Sequence, residues 1–158
     1  MKRFLALLLT AAAILSLSGC STQKLTKDGI TLILPKDFTE GDTYLLPDAH
    51  AVYSSSDTTV VVFKDEASAA SELTVREYAD GWILANLRFA PDPLKEDNGV
   101  ISTKYKADNA DILNVFYTAF YKNGGAFWIV QFFCPEESYE ANAQNFEKWA
   151  KQVNFENK

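Results

Sequence analysis

A single histidine, His50, and two cysteines, Cys20 and Cys134, are all the imidazole and thiol that this chain of 158 residues holds. Zinc sites draw on several His and Cys side chains close together, and none cluster here, so no metal centre is expected. Any Ser-His-acid triad would have to use His50. The nearest serines, Ser54 to Ser56, fall in an expected turn with no nucleophile-elbow sequence around them. No catalytic residue is assigned, and the chain reads as a non-enzyme. Phosphate-binding loops are missing too: Gly124-Gly125 lacks the lysine and following helix that such a loop requires. No cofactor is expected.

Basic charge is also short. Lys and Arg number 15 against 21 Asp and Glu, a net charge of −6. An acidic protein does not attract nucleic acid, and anionic lipid repels it. The longest apolar run, residues 4–17, is 14 residues, short of the ~20 that span a bilayer as a helix. With so few cysteines no disulfide framework can form once Cys20 is otherwise engaged. Cys134 ends an apolar run and reads as a small buried hydrophobe.

What the chain does have begins at its start. Lys2 and Arg3 precede the apolar run, which is broken only by Thr10 and Ser16 and ends in Leu17-Ser18-Gly19-Cys20. A charged n-region, a short apolar h-region and small residues before a cleavage point are the marks of a secretory signal. The stretch resembles a bacterial lipoprotein signal peptide, whose pattern is Leu, a small residue, Gly or Ala, then Cys; all four positions match. The resemblance implies recognition through Leu17, Ser18 and Gly19, cleavage before Cys20, diacylglycerol on its sulfur and an acyl group on its new amine. A thiol is needed because the thiolate is the nucleophile that takes up the lipid. Each buried methylene contributes ~0.8 kcal/mol, and two or three chains make the anchor stable. Cleavage leaves 13 basic against 21 acidic residues, net −8. The chain then divides into a signal segment (1–19), a lipidated cysteine with a polar tether (20–28) and one domain (29–158).

Within that domain, strands are expected over residues 30–34, 50–54 and 58–64, separated by Pro, Gly and Ser-Asp turn signals. Val75, Tyr78, Ala79, Trp82, Ile83 and Asn86 follow helical spacing over 75–88. Thr74 and Glu77 have capping-box spacing. Residues 89–99 read as a loop. Three strands follow, over 100–106, 112–121 and 126–134, the last two joined by a tight turn at Asn123-Gly124. A closing helix over 138–153 carries Tyr139, Asn142, Ala143, Phe146, Trp149, Ala150 and Val153 on one stripe.

Hairpins imply antiparallel pairing, and an antiparallel sheet with one wet face alternates apolar and polar. Val60-Val61-Val62-Phe63 and Phe127-Trp128-Ile129-Val130 are apolar on both faces, so both faces need covers. The expected class is α+β, a central antiparallel sheet flanked by helices. Periodicity leaves open whether the two helices share a face.

The order of elements carries a second resemblance. A Gly-Ile-Thr-Leu-Ile-Leu-Pro strand opens the domain. A valine-rich strand, the helix beginning Leu73-Thr74-Val75, a late aromatic hairpin, Cys134-Pro135 and a closing helix around Tyr139 and Phe146 follow. Over about residues 28–156 this resembles the PsbP-like fold, shared by a photosystem II extrinsic protein, a nuclear Ran-binding protein and small bacterial lipoproteins of the DcrB type. It implies an α/β/α sandwich and an accessory, non-enzymatic role, with no catalytic residues to carry over. The expectation is a monomeric lipoprotein on the extracytoplasmic face of a cell membrane, meeting a membrane-proximal envelope protein. The alternative is a small-ligand or metal-binding lipoprotein. It would use the acids Asp92, Glu96 and Asp97, or Asp108 and Asp111, or a pocket lined by Trp82, Phe116, Phe127, Trp128, Phe133 and Trp149. Solvated loops and an aromatic core are the plainer readings of those residues.

Overall fold

A computed structural model describes residues 21–156 except 45, 67–71, 89 and 110, with residue 109 described through its backbone only. The signal segment and Cys20 lie outside the described residues.

Seven strands form the central sheet, in the order β3 (Thr39–Glu40), β4 (Ala51–Ser54), β5 (Thr59–Asp65), β9 (Ala126–Pro135), β8 (Ile112–Asn123), β7 (Val100–Asn109), β6 (Lys95–Asp97). Every pairing is antiparallel. Helix α1 (Val75–Asn86) follows β5 and helix α2 (Glu136–Lys151) follows β9. A second sheet of β1 (Thr22–Lys27), β2 (Ile30–Pro35) and β10 (Asn154–Phe155) completes the domain. The helices do not share a face. Along β9, Trp128, Val130 and Phe132 enter the core beside Phe146 and Trp149 of α2. Phe127 and Ile129, between them, enter the core beneath Tyr78 and Ala79 of α1. Period-two alternation therefore feeds two separate cores, and that is why these strands are apolar throughout. The second sheet lies on the α2 side, where Ile30, Leu32 and Leu34 of β2 join that core.

Among the stretches read as irregular, two form strands longer than two residues. Residues 22–27, expected as part of a tether, form β1 and pair with β2 along their whole length. The turn between them is Asp28-Gly29, with φ of 41° and 101°, the two positive angles that a two-residue hairpin of right-handed twist requires. Gln23 adds a tie, its Nε2 donating to the carbonyls of Pro35 at 3.1 Å and Phe38 at 2.7 Å. The folded domain thus includes Thr22–Lys27. In the same way Lys95–Asp97, expected as loop, pairs with β7 across Asn98-Gly99, at φ 52° and 78°. Both strands are short, polar and at sheet edges, where charged residues block unwanted pairing.

The β8–β9 turn sits one residue later than expected. Gly124-Gly125 takes the positive angles and Asn123 pairs with Ala126. A slip of one residue would exchange the two faces of β9, so the two cores decide between Asn-Gly and Gly-Gly. The α1 cap forms as expected: Glu77 N donates to Thr74 Oγ1 at 3.2 Å and Thr74 N to Glu77 Oε2 at 2.9 Å.

Candidate functional site

The residues assigned to lipid attachment and its recognition, Leu17, Ser18, Gly19 and Cys20, lie before the first described residue. Among the described residues no helix is long and apolar enough to cross a membrane.

The sheet separates His50 from the nearest serines. His50 stands just before β4 and Ser54 ends that strand, while Ser55 opens the turn to β5. The four steps from His50 to Ser54 span about 13 Å in extended chain, so no Ser-His pair forms there. His50 Nε2 lies 3.3 Å from the Lys27 carbonyl oxygen, and its ring meets Trp128 edge-on at 5.2 Å. Ser54 and Ser55 serve the turn, through contacts with Thr59 Oγ1 and the Thr58 carbonyl.

The acids of the β6 region separate into ion pairs. Asp92 meets Lys104 at 3.3 Å, Glu96 meets Arg76 at 3.8 Å and Asp97 meets Lys151. Among the described residues no three His, Cys, Asp or Glu side chains converge as a metal site would require. Cys134 is buried and free. Burial, with the Asp57 carboxylate adding to it, pushes its thiol up to about 11, so almost no thiolate exists at neutral pH. The three tryptophans pack in the core and each also reaches the wall of a surface concavity: Trp82 on Phe120, Trp128 on His50 and Phe155, and Trp149 on Phe38, Phe132 and Phe146. Phe127 lies stacked under Tyr78 at 4.0 Å.

Two of the concave regions among the described residues bring polar and aromatic groups together. One lies at the Gly124-Gly125 end, a cleft of about 360 Å³ where Asp28, Glu66 and Glu156 surround Lys64 over the Trp128 ring. Lys64 Nζ sits 5.2 Å from that ring's centroid and pairs with Glu66. Trp128 Nε1 is buried with no hydrogen-bond partner among the described residues. Carboxylates around a single ammonium suit a cationic or zwitterionic group. No Ser, Thr or Cys is among the described residues lining this cleft.

The other is a groove of about 300 Å³ beside α1, between Asp48, Tyr78 and Trp82, with Ile129 and Gln131 as its floor. Tyr78 Oη donates to Asp65 Oδ2 at 2.9 Å; burial first, then that carboxylate, raises the phenol far above its ordinary value. Gln131 Nε2 donates to Tyr105 Oη at 2.8 Å and to Thr118 Oγ1 at 3.3 Å. Tyr105, Phe116 and Phe133 continue this face as a stack, with ring centroids 5.0 and 4.7 Å apart. The signal for this region in the sequence is Gln131 itself, the one polar break in an apolar run.

No protein-family model matches the chain, and no curated protein matches it in sequence. Solved structures do match in fold. Cyanobacterial PsbP from Synechocystis superposes with a TM-score of 0.57 at 13% identity, over 89% of this chain and 95% of that one. LpqN of Mycobacterium tuberculosis, described as involved in cell envelope biogenesis, gives 0.54 at 12%, over 87% and 91%. The Ran-binding protein Mog1p of Saccharomyces cerevisiae gives 0.54 at 10%, over 87% and 96%. Identities this low carry the fold alone. The fold is the PsbP-like α+β sandwich.

Proposed function

We propose that the chain is a lipid-anchored accessory protein of the cell envelope, held on the extracytoplasmic face through Cys20 and acting by docking rather than by catalysis. The observation that carries this is the full four-residue lipoprotein pattern at Leu17 to Cys20 behind a charged and an apolar segment. The separation of His50 from Ser54 to Ser56 supports a non-enzymatic role, as does the inert burial of Cys134. A PsbP-like neighbour described as serving envelope biogenesis supports the setting. Because β1 begins at Thr22, only Cys20 and Ser21 separate the lipid from the fold. They reach roughly 7 Å at ~3.3–3.6 Å per residue, far less than a free tether to residue 28 would. A docking partner is then itself at the membrane, where tethering raises effective concentration.

Mass spectrometry of the protein extracted from membranes tests the reading. A diacylglyceryl mass on Cys20, lost in Cys20→Ala together with membrane retention, is the expected result. Unmodified Cys20 in the processed protein sinks it. The cleft over Trp128 favours one second reading, a site for a small cationic or zwitterionic ligand, supported by the three carboxylates, Asp28, Glu66 and Glu156, that line it with Lys64. It predicts an amine- or amino-acid-dependent shift of the Trp128 fluorescence that Lys64→Met alters.

A further inference from the structure

We infer that Ile112 and Leu113, at the tip of the β7–β8 hairpin, form a second membrane contact that stands the anchored domain on the bilayer in one orientation. The inference rests on attachment through Cys20.

Ser21 is already tied to the fold, its carbonyl accepting from Lys36 N at 3.0 Å. Cys20 Cα is one trans peptide, about 3.8 Å, from that of Ser21, so the attachment point is fixed to one end of the sandwich. Ser21 shares a cleft of about 340 Å³ with Asp57 and Thr58 of the β4–β5 turn and with Asn142 of α2. Asn142 Nδ2 donates to Asp57 Oδ2 at 3.1 Å. The strand register carries this level across the sheet. Thr59 pairs with Phe133, which sets the preceding turn level with Pro135, and Pro135 pairs with Asn114. Strand β8 then runs two residues past the end of β9, through Leu113 to Ile112, where it closes on Asn109. At ~3.4 Å per residue the tip stands about 7 Å beyond the level of the anchor's cleft, and two strand spacings of ~4.8 Å carry it sideways from β5.

Two apolar side chains stand exposed just behind the turn. Ile112 is 53% and Leu113 38% exposed, and neither joins either core. Successive strand residues point to opposite faces, so the pair puts one apolar side chain on each face of the hairpin end. A bilayer is the one partner that the anchor holds constantly within this reach. Charge sets the lipid class. Asp111 stands exposed in the turn itself, Asp108 pairs across from Leu113, and Lys106 is engaged by Glu136. The contact therefore suits a zwitterionic surface, and anionic lipid weakens it. Two apolar side chains do not hold the domain on a membrane without the anchor. The consequence is directional, because the cleft at Gly124-Gly125 lies at the opposite end and faces away from the bilayer.

The test couples a chain beginning at Cys20, through that thiol, to maleimide-phospholipid in phosphatidylcholine nanodiscs carrying nitroxide-labelled lipid. Cys134, being buried, does not compete for the maleimide. Methyl NMR reads proximity to lipid. Leu73, 40% exposed and tied to the far end through its carbonyl and Lys122 Nζ, is the control. Ile112 and Leu113 methyls should broaden at least fivefold more than those of Leu73. Equal broadening, or stronger broadening at Leu73, overturns the proposal. In the double variant Ile112→Ser, Leu113→Ser the broadening of Val115 relative to Leu73 should fall towards one. An unchanged ratio in that variant also overturns the proposal, since the bilayer would then be held by other residues. Chemical coupling keeps this result separate from the lipoprotein reading, which native mass spectrometry decides. A native Cys20 without lipid removes the premise even where the nanodisc contact is seen.

Discussion

The two faces of the central sheet are built to different standards. The α2 face is closed by a helix and a second sheet. Val60, Val62, Val130, Phe132 and Phe146 on that side are buried almost completely. The α1 face carries one short helix and, beyond it, a row in which Thr103, Thr118 and Gln131 are buried polar groups. Strand register places these three side by side across β7, β8 and β9. The contrast separates two uses of one sheet. Close-packed hydrocarbon holds the fold, whereas a satisfied polar row specifies geometry and leaves a groove open to solvent.

The largest test of that contrast is Phe146→Ala. Phe146 is 0% exposed and packs against Phe132, Tyr139 and Trp149. Truncating a buried Phe costs about 3–5 kcal/mol in transfer and cavity terms. Urea unfolding should show that loss in the midpoint; a loss under about 1 kcal/mol would mean that the α2 face is not the stabilising one.

Next comes the polar row. Gln131→Met keeps the volume and removes the donor that serves Tyr105 Oη and Thr118 Oγ1. Leaving buried partners unsatisfied costs about 1–3 kcal/mol. Adding Tyr105→Phe should recover part of it, a coupling that a double-mutant cycle measures. Strict additivity would show that the row is not a network.

The same contrast explains what was legible in the chain. Valine and aromatic runs announced a sheet covered on both sides, and the spacing of Phe146, Trp149 and Ala150 announced the α2 face. Helical periodicity marks which side of a helix is apolar, but not which side of a sheet receives it, so the placement of α1 opposite α2 is decided by packing across the sheet. Strands β1 and β6 carry little hydrocarbon. Their signals were the turns Asp28-Gly29 and Asn98-Gly99, whose positive φ angles tie a polar segment to its neighbour. Gln131 was visible as a break, but its partners lie 26 and 13 residues away, beyond any local pattern. The proposed lipid attachment at Cys20 rests on sequence alone, since Cys20 lies outside the described residues.

The smallest effect concerns the cap that starts α1, and it sharpens the comparison because α2 has Pro135 at its N-cap and no side-chain cap bond. Thr74→Ala removes the acceptor for Glu77 N and should cost about 1 kcal/mol. Glu77 answers in turn to Thr74: its carboxylate accepts from the Thr74 backbone and hydroxyl, and these bonds hold its pKa below the ordinary value. A depressed carboxyl stabilises the folded state above its unfolded pKa, and that contribution fades as pH falls through the folded one. Acidification below the ordinary glutamate range should therefore fray α1 before it touches α2. Hydrogen exchange resolved by helix reads this directly. Amides of residues 75–79 should lose protection at acid pH in the native chain, while the same amides in Glu77→Gln should change much less over that range. Equal loss in both helices, or an identical pH response in Glu77→Gln, would assign the acid sensitivity to the sheet rather than to the cap.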